Sequence, residues 1–149
     1  TYLLAQMYPE GSPTHPAYPS GHATVGGACS TVIKAIFNDQ ALIKDYVTPV
    51  KPNPADPSTL VPLSGEGEDV MTVGGELNKL ASNISFARNF GGVHSRWEGE
   101  YGMQLGEAVA IRYLQDHCRT YPEEGFTGYV LTKRDGVRIR ITANSVEPI

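Results

Sequence analysis

Three stretches of the chain repeat apolar residues at helical spacing, and each predicts an amphipathic helix. The most regular covers residues 21–37, with one stripe formed by Val25, Ala28, Cys29, Val32, Ile33 and Ile36. The second covers residues 74–90, with a shared face of Leu77, Leu80, Ala81, Ile84, Ala87 and Arg88. The third runs from about Glu98 to Cys118, with a main stripe of Leu105, Ala108, Val109 and Arg112, widened by Ile111 and Leu114. Such stripes are typical of helix faces that pack on a core.

Capping residues and glycines mark how these helices begin, end and pack. Ser20 and Thr72 stand at N-cap positions, where a side-chain oxygen is strongly preferred. Gly91-Gly92 is a typical helix stop. Glycine inside a helix costs about 1 kcal/mol relative to alanine, so interior glycines indicate close approach of another element. Four residues are of this kind: Gly26, Gly27, Gly102 and Gly106.

The remaining segments do not show helical periodicity. Residues 1–19 read as a loop in which Leu3, Leu4 and Met7 are candidates for packing. Residues 38–72 form a long irregular segment with room for short strands, or for a short helix around Gln40–Val47. Residues 126–142 alternate apolar and polar positions, which predicts a hairpin of Tyr129–Thr132 and Val137–Ile141 around an Asp135-Gly136 turn.

Composition narrows the function classes. The 149 residues have the size of one domain, and 40% hydrophobic content is enough for a core. A formal net charge of −4 argues against a nucleic-acid-binding face, and no apolar run is long enough to cross a membrane. Thr1 opens the chain with neither a methionine nor a basic leader, so we interpret the sequence as a fragment whose compartment its N-terminus does not reveal.

The two cysteines are predicted to be structural. Cys29 and Cys118 both lie in helical patterns with apolar neighbours, which favours buried free thiols, although the sequence leaves their oxidation state open. No Cys-x-x-Cys or mixed Cys/His spacing of a zinc site is present.

The polar residues that carry candidate chemistry form an ordered set. Ser20-Gly21-His22 lies at a helix start, where amide N–H groups and the helix dipole favour an oxyanion. Arg88 lies near the end of the second helix, His94 six residues later, and His15 seven residues before His22. An arginine with amides can hold a tetrahedral oxyanion, while a histidine attacks or ligates its central atom.

Each of these residues also has an ordinary structural interpretation. Ser20 is an unremarkable cap, and a lone histidine such as His15 is usually a surface residue with a hydrogen bond. Arg88 on an apolar face is often paired with a carboxylate, for which the candidates are Glu76, Glu98 and Glu107. The ordered combination of Pro-Ser-Gly-His with Arg-x5-His is much less expected by chance than its parts.

The motifs together resemble the vanadium-dependent haloperoxidases, most closely the bromoperoxidases of marine algae. More distantly, they resemble the type 2 phosphatidic acid phosphatases and class A acid phosphatases. The matching motifs are Ser12–Thr24, Gly75–Ala81 and Arg88–Gly99, within a resemblance that spans about residues 10–142. The resemblance implies a mainly α fold, a helical bundle of the haloperoxidase and acid phosphatase type, here with a C-terminal β-hairpin.

The resemblance also implies roles for individual residues. His94 would be the axial vanadium ligand, and Ser20, Gly21 and Arg88 would hold vanadate oxygens. His22 would be the acid–base residue. His15 matches a second pocket histidine of bromoperoxidases, which favours bromide or iodide over chloride. Vanadate would activate hydrogen peroxide as a Lewis acid, halide would be oxidised to hypohalous acid, and small organic acceptors would be halogenated.

The chain departs from the family pattern at two points. The Lys-x6-Arg-Pro motif, which precedes Pro-Ser-Gly-His in the family, does not occur, so we interpret residues 1–149 as the C-terminal portion of one catalytic domain. The site then needs an N-terminal segment or a second chain to complete it. Glu98 stands where the family usually has an aspartate that orients the axial histidine from the second shell, and glutamate is one methylene longer.

Two other functions remain open at this level. A phosphatase of the same superfamily would use His94 as a nucleophile, forming phosphohistidine, with His22 protonating the leaving group. The alternative without catalysis is an inactive fragment or an assembly subunit, and the resemblance implies a homo-oligomer. It also suggests a secreted, periplasmic or cell-wall location.

Overall fold

A computed structural model gives the architecture and describes residues 6–7, 14–65, 67, 70–121 and 123–149. These residues form a bundle of three α-helices, α1 (Gly21–Ile36), α2 (Val73–Phe90) and α3 (Arg96–Thr120). A short 3-10 helix (Ile43–Asp45) and a hairpin of β1 (Val50–Asn53) and β2 (Asp56–Pro62) lie between α1 and α2. The expected helical bundle is confirmed, with predicted helix limits within two residues of the observed ones.

The chain after α3 forms a small antiparallel sheet. Its order is β3 (Tyr129–Thr132), β4 (Arg138–Ile141) and β5 (Val146–Pro148). The predicted hairpin is confirmed, and the third strand was not anticipated because three residues carry no readable alternation. The turn glycine, Gly136, has a φ of 87°, which only glycine adopts readily.

Close glycine contacts bring α1 against α3. A Cβ on Gly106 would lie 2.0 Å from the Thr24 carbonyl oxygen, and one on Gly102 would lie 2.8 Å from the Ser20 carbonyl oxygen. From the other side, a Cβ on Gly27 would lie 2.3 Å from the Met103 carbonyl oxygen. The predicted role of these glycines is confirmed, since the two backbones meet where their side chains are absent.

The apolar stripes predicted to face the core largely face outward, so this part of the prediction is wrong. On α1 the buried residues are Ala23, Gly26, Gly27, Ser30, Thr31 and Lys34, whereas Val25 and Ile36 are 61% and 65% exposed. Leu80 on α2 and Leu105 on α3 are also exposed. The physical reason is that small residues allow the helices to approach closely, which turns the larger side chains outward.

Two other expectations about burial are corrected. Cys29 is exposed on α1 and Cys118 is partly buried, and both thiols are free. Met7 is exposed, while Leu3 and Leu4 lie outside the described residues. Cys29 belongs to the outward stripe of α1, which explains its exposure.

A buried polar network fastens the sheet to the helices. The Lys34 ammonium, fully buried, donates to Asn78 Oδ1 on α2 and to the Thr132 carbonyl at the end of β3, both at 2.9 Å. The buried Asp39 carboxylate accepts from the Thr132 amide at 2.6 Å, and Glu107 accepts from the Arg134 amide at 2.8 Å. Apolar packing of Leu114, Leu131, Ile139 and Ile141 adds to this contact.

Within the described ranges, no helix is both long enough and apolar enough to span a bilayer.

Candidate functional site

The start of α1, the end of α2 and the start of α3 meet at one end of the bundle, and Ser20, Arg88 and His94 lie on or next to these three helix ends. The Ser20 amide donates to the Glu98 carbonyl at 3.2 Å, which joins the start of α1 to the first turn of α3. The Asn89 side-chain amide at the end of α2 donates to the His94 carbonyl at 2.9 Å. These two bonds place the three helix ends side by side.

Ser20 occupies the N-cap of α1 without acting as a cap. Its backbone is extended, and its carbonyl accepts from both the amide and the hydroxyl of Thr24 at 2.9 Å. Its side chain makes no capping bond, and the fully buried Oγ has no hydrogen-bond partner among the described residues. A buried hydroxyl without a partner costs about 1–3 kcal/mol, so this oxygen at a helix start is a candidate to bind a ligand group.

Thr72 shows what ordinary capping looks like in this chain. Its Oγ1 accepts from the Gly75 amide at 3.1 Å, so the predicted cap of α2 is confirmed. Ser20 has the same position relative to α1 and leaves its oxygen unused. The difference indicates that the Ser20 hydroxyl is available for another partner.

His94 is held by a carboxylate on the next helix turn. Its side chain is only 3% exposed, and its Nδ1 lies 3.1 Å from Glu98 Oε2. An Nδ1–H that donates to a carboxylate leaves Nε2 with its lone pair free to ligate or attack. Glutamate at this position therefore reaches the ring despite its extra methylene.

Glu98 has a second task at the start of α3. Its Oε2 also accepts from the Ser95 amide at 2.9 Å, which forms a capping box with Ser95. That backbone hydrogen bond, together with the contact to His94, lowers the pKa of Glu98 below its usual value and keeps it ionised. The Ser-x-x-Glu spacing is a sequence signal of this box that we did not use.

Arg88 lies in the last turn of α2 and is partly buried. Gly91 and Gly92 follow, and Gly92 takes a φ of 77°, so the chain folds back and the Val93 amide bonds to the Arg88 carbonyl at 3.2 Å. This tight return is the arrangement expected from the Gly-Gly stop. It brings His94 back beside the helix that carries Arg88.

His15 and His22 lie apart from this buried group, on the wall of an open groove between α1 and α2. Both are exposed and line the groove together with Gly21, while the His15 Nδ1 lies 2.8 Å from the Pro16 carbonyl oxygen. The groove has a volume of about 850 Å³, and apolar side chains form most of its remaining wall. Ser12 and Pro13, which begin the first motif, lie outside the described residues.

The groups at this end of the bundle are of kinds that can bind an oxyanion. No cluster of three or more His, Cys, Asp or Glu side chains able to hold a metal occurs in the described part of the chain. A buried hydroxyl, the amides of a helix start and an oriented imidazole are groups that bind the oxygens and the central atom of a tetrahedral anion. Asn89 and Ser95 were not predicted, and both help to position His94. Asn89 donates to the His94 carbonyl, and the Ser95 amide donates to the Glu98 carboxylate that contacts the His94 ring.

Comparison with known proteins places the chain in a family. Residues 3–123 match the family described as VCPO second helical-bundle domain. The chain is 43% identical over 137 residues to a vanadium-dependent bromoperoxidase of Ascophyllum nodosum, covering 88% of this chain and 24% of that protein. It is 45% identical over 141 residues to vanadium-dependent bromoperoxidases of Corallina officinalis and Corallina pilulifera, covering 95% of this chain and 22% of each. The chain thus spans about a quarter of the length of these relatives.

Proposed function

The chain belongs to the VCPO second helical-bundle domain family, and we propose that it forms one wall of a vanadate site that oxidises halide with hydrogen peroxide. The observation that carries the proposal is the buried Ser20 hydroxyl, without a described partner, at a helix start whose amide bonds to the carbonyl of Glu98, the residue that orients His94. The names of the relatives support the same chemistry, since three are vanadium-dependent bromoperoxidases.

The side chains fit vanadate by their chemistry. His94 Nε2 would ligate the vanadium, since its Nδ1 is hydrogen-bonded to Glu98. The Ser20 hydroxyl, the Gly21 amide and the Arg88 guanidinium would hold oxygens of the bound anion. When bound, vanadate supplies Lewis-acid activation of peroxide.

The chain's own residues would then manage protons and water. His22, exposed on the groove wall beside Gly21, exchanges protons with groups at the site through its imidazole. His15 lies on the same wall, where a second imidazole favours bromide or iodide over chloride. Small organic acceptors would react with the hypohalous acid that is formed.

The groove is also the place for a completing segment. The apolar stripe of α1 lines it through Val25 and Ile33, facing Leu77, Leu80 and Ile84 of α2. An apolar groove of this length suits a helix, and the relatives contain about four times as much chain. We infer that a segment of the longer domain, carrying the lysine and arginine of Lys-x6-Arg-Pro, lies here and adds positive charge to the oxyanion pocket.

Paired assays test the proposed chemistry. Protein that contains the chain together with its completing segment is expected to brominate phenol red with vanadate, bromide and hydrogen peroxide. It is expected to hydrolyse p-nitrophenyl phosphate weakly. Replacement of His94 with alanine should abolish bromination. Phosphatase activity without bromination would overturn the proposal in favour of phosphohistidine chemistry.

A second comparison tests whether the completing segment is needed. The chain alone is expected to brominate far more slowly than the chain with the segment, because the oxyanion pocket lacks its lysine. Equal rates for the two forms would refute the need for completion while leaving the vanadate chemistry intact.

A further inference from the structure

Two aromatic rings bridge the segment that precedes α1 and the first turn of α3. The Tyr18 ring stacks on the Trp97 indole, with centroids 4.9 Å apart and ring planes 23° from parallel. The Tyr101 ring meets both of them edge to face, with centroids 6.2 Å away. Tyr18 and Trp97, which we call the aromatic pair, are each about half exposed, so they join two segments at the surface and add little to the core.

The aromatic pair connects the same two segments as the backbone contact at the candidate site. The Ser20 amide donates to the Glu98 carbonyl at 3.2 Å, two residues after Tyr18 and one residue after Trp97. A Cβ on Gly102 would lie 2.8 Å from the Ser20 carbonyl oxygen, so the backbones are also in close contact there. The segment of residues 18–20 thus lies on α3 through a ring stack, a hydrogen bond and a glycine contact.

The Ser20 side chain does not fix its own position. A capping side chain is normally held by a bond to its helix, as Thr72 is, but the buried Ser20 Oγ makes no such bond and has no partner among the described residues. The contacts of its neighbours therefore set where this hydroxyl lies. Accuracy matters here, because a displacement of about 1 Å at a binding group can cost on the order of 100-fold in function.

On the other side, Trp97 belongs to the helix turn that orients His94. Its neighbour Glu98 contacts the His94 Nδ1 at 3.1 Å and accepts from the Ser95 amide at 2.9 Å, both through Oε2. These bonds fix the imidazole relative to the first turn of α3. A ring stacked on Trp97 therefore ties the Ser20 segment to the same turn that holds the histidine.

We propose that Trp97 and Tyr18 are positioning residues that set the distance between the Ser20 hydroxyl and His94 for oxyanion binding. The two rings act through Ser20 and are assigned no contact with the anion. This inference rests on the proposed function, which makes Ser20 an oxyanion ligand. It predicts that loss of either ring weakens vanadate binding although both rings lie at the surface.

Equilibrium dialysis against vanadate tests the role of the aromatic pair, with protein that contains the chain together with its completing segment. Trp97→Ala is expected to weaken binding about 10-fold, which equals about 1.4 kcal/mol and is within the contribution of one aromatic pair. Trp97→Phe keeps a ring for Tyr18 and should stay within roughly 3-fold of the wild type. Far-ultraviolet circular dichroism checks that the variants are folded.

Tyr113→Ala is the matched control for the removal of an exposed ring. Tyr113 lies on the same helix and is 58% exposed, against 53% for Trp97, but is about 24 Å further along the helix axis. Its replacement should leave vanadate binding unchanged. An equal loss in Tyr113→Ala would show that any exposed ring of α3 has this effect, and would overturn the proposal.

A double-mutant cycle separates positioning from general stabilisation. In a Ser20→Ala background, Trp97→Ala should cost less than about 3-fold, because only the Gly21 amide is then left to be misplaced. Tyr18→Ala should match Trp97→Ala, and the two together should cost no more than either alone. A 10-fold loss with or without the Ser20 hydroxyl, or no loss in Trp97→Ala, would overturn this inference alone. A wild-type protein that binds no vanadate would overturn the proposed function and this inference together.

Discussion

At the scale of single residues, the binding capacity of the site depends on which polar atoms already have hydrogen-bond partners within the protein. Ser20 and Thr72 stand at equivalent N-caps, but only the Thr72 hydroxyl is used by its helix. His94 has one ring nitrogen tied to Glu98, which leaves the other available. Binding groups are thus distinguished from structural ones by their remaining hydrogen-bonding capacity.

Replacement of Ser20 and Thr72 by alanine should have opposite consequences. Thr72→Ala is expected to lower the free energy of unfolding by about 1 kcal/mol, because it removes a capping bond. Ser20→Ala should raise it by about 1 kcal/mol, because it removes a buried hydroxyl that has no described partner, yet it should weaken vanadate binding. Urea denaturation and vanadate titration measure the two effects. A loss of stability in Ser20→Ala as large as in Thr72→Ala would show that the serine is an ordinary cap.

Glu98→Gln separates the two tasks of Glu98. Glutamine still accepts from the Ser95 amide, so the capping box survives, but the carboxylate beside His94 is lost. We expect vanadate affinity to fall about 10- to 100-fold with little loss of helix content. Because folding lowers the pKa of Glu98, its stabilising contribution is present at neutral pH and is lost on acidification. The stability difference between wild type and variant should therefore shrink in acid, and a constant difference would contradict this assignment.

At the scale of elements, the helices pack through their smallest residues. The positions of α1, α2 and α3 could be predicted from apolar periodicity and capping residues, which are local signals. The faces that they bury could not, because periodicity shows where large apolar residues lie and not what covers them. Gly27 and Gly106 select the buried faces by allowing backbones to meet. The stripe containing Val25 and Ile33 is exposed instead, and we propose that the completing segment packs on it.

Two glycine-to-alanine replacements should change stability in opposite directions. Gly106→Ala places a methyl group 2.0 Å from a backbone oxygen of α1, so we expect a loss of roughly 2 kcal/mol or more. Gly26→Ala places its methyl at ordinary contact distance, 3.6 Å from the Ala81 carbonyl oxygen, and should gain about 0.5–1 kcal/mol from helix propensity. Thermal and urea unfolding measure both variants. Equal effects would show that the α1–α3 contact is looser than described.

At the scale of the whole molecule, one buried network joins the bundle to the C-terminal sheet. Lys34 was part of no prediction, because a lysine inside an apolar pattern gives no sign of its partners on α2 and β3. Those partners, Asn78 and Thr132, are 44 and 98 residues away along the chain. The candidate site was more accessible from sequence, since its residues lie in short motifs. Their convergence nevertheless depends on helix ends that only the fold brings together.

The lysine network should make stability depend on alkaline pH. Burial lowers the pKa of Lys34, opposed by the nearby Glu107 and Asp39, so the folded protein releases this proton more readily than the unfolded chain. The free energy of unfolding therefore rises with pH between the lowered pKa and the ordinary value of 10.5. The Lys34→Met variant should lack this pH dependence. The free energy of unfolding of both proteins is measured by urea denaturation across this pH range, and the variant's values are subtracted from those of the wild type, which removes the contribution of tyrosine titration. A difference that does not grow with rising pH would contradict the burial of a charged lysine.

The central claim is that Ser20 and His94 form part of one vanadate-binding wall, and vanadium-51 NMR tests it most directly. Titration of protein that contains the chain together with its completing segment is expected to broaden and shift the vanadate resonance, and phosphate should compete. The account predicts that His94→Ala abolishes this change and that Ser20→Ala weakens it, whereas Thr72→Ala leaves it intact. Vanadate binding that is unchanged in His94→Ala, or no binding by wild-type protein that includes the completing segment, would contradict it.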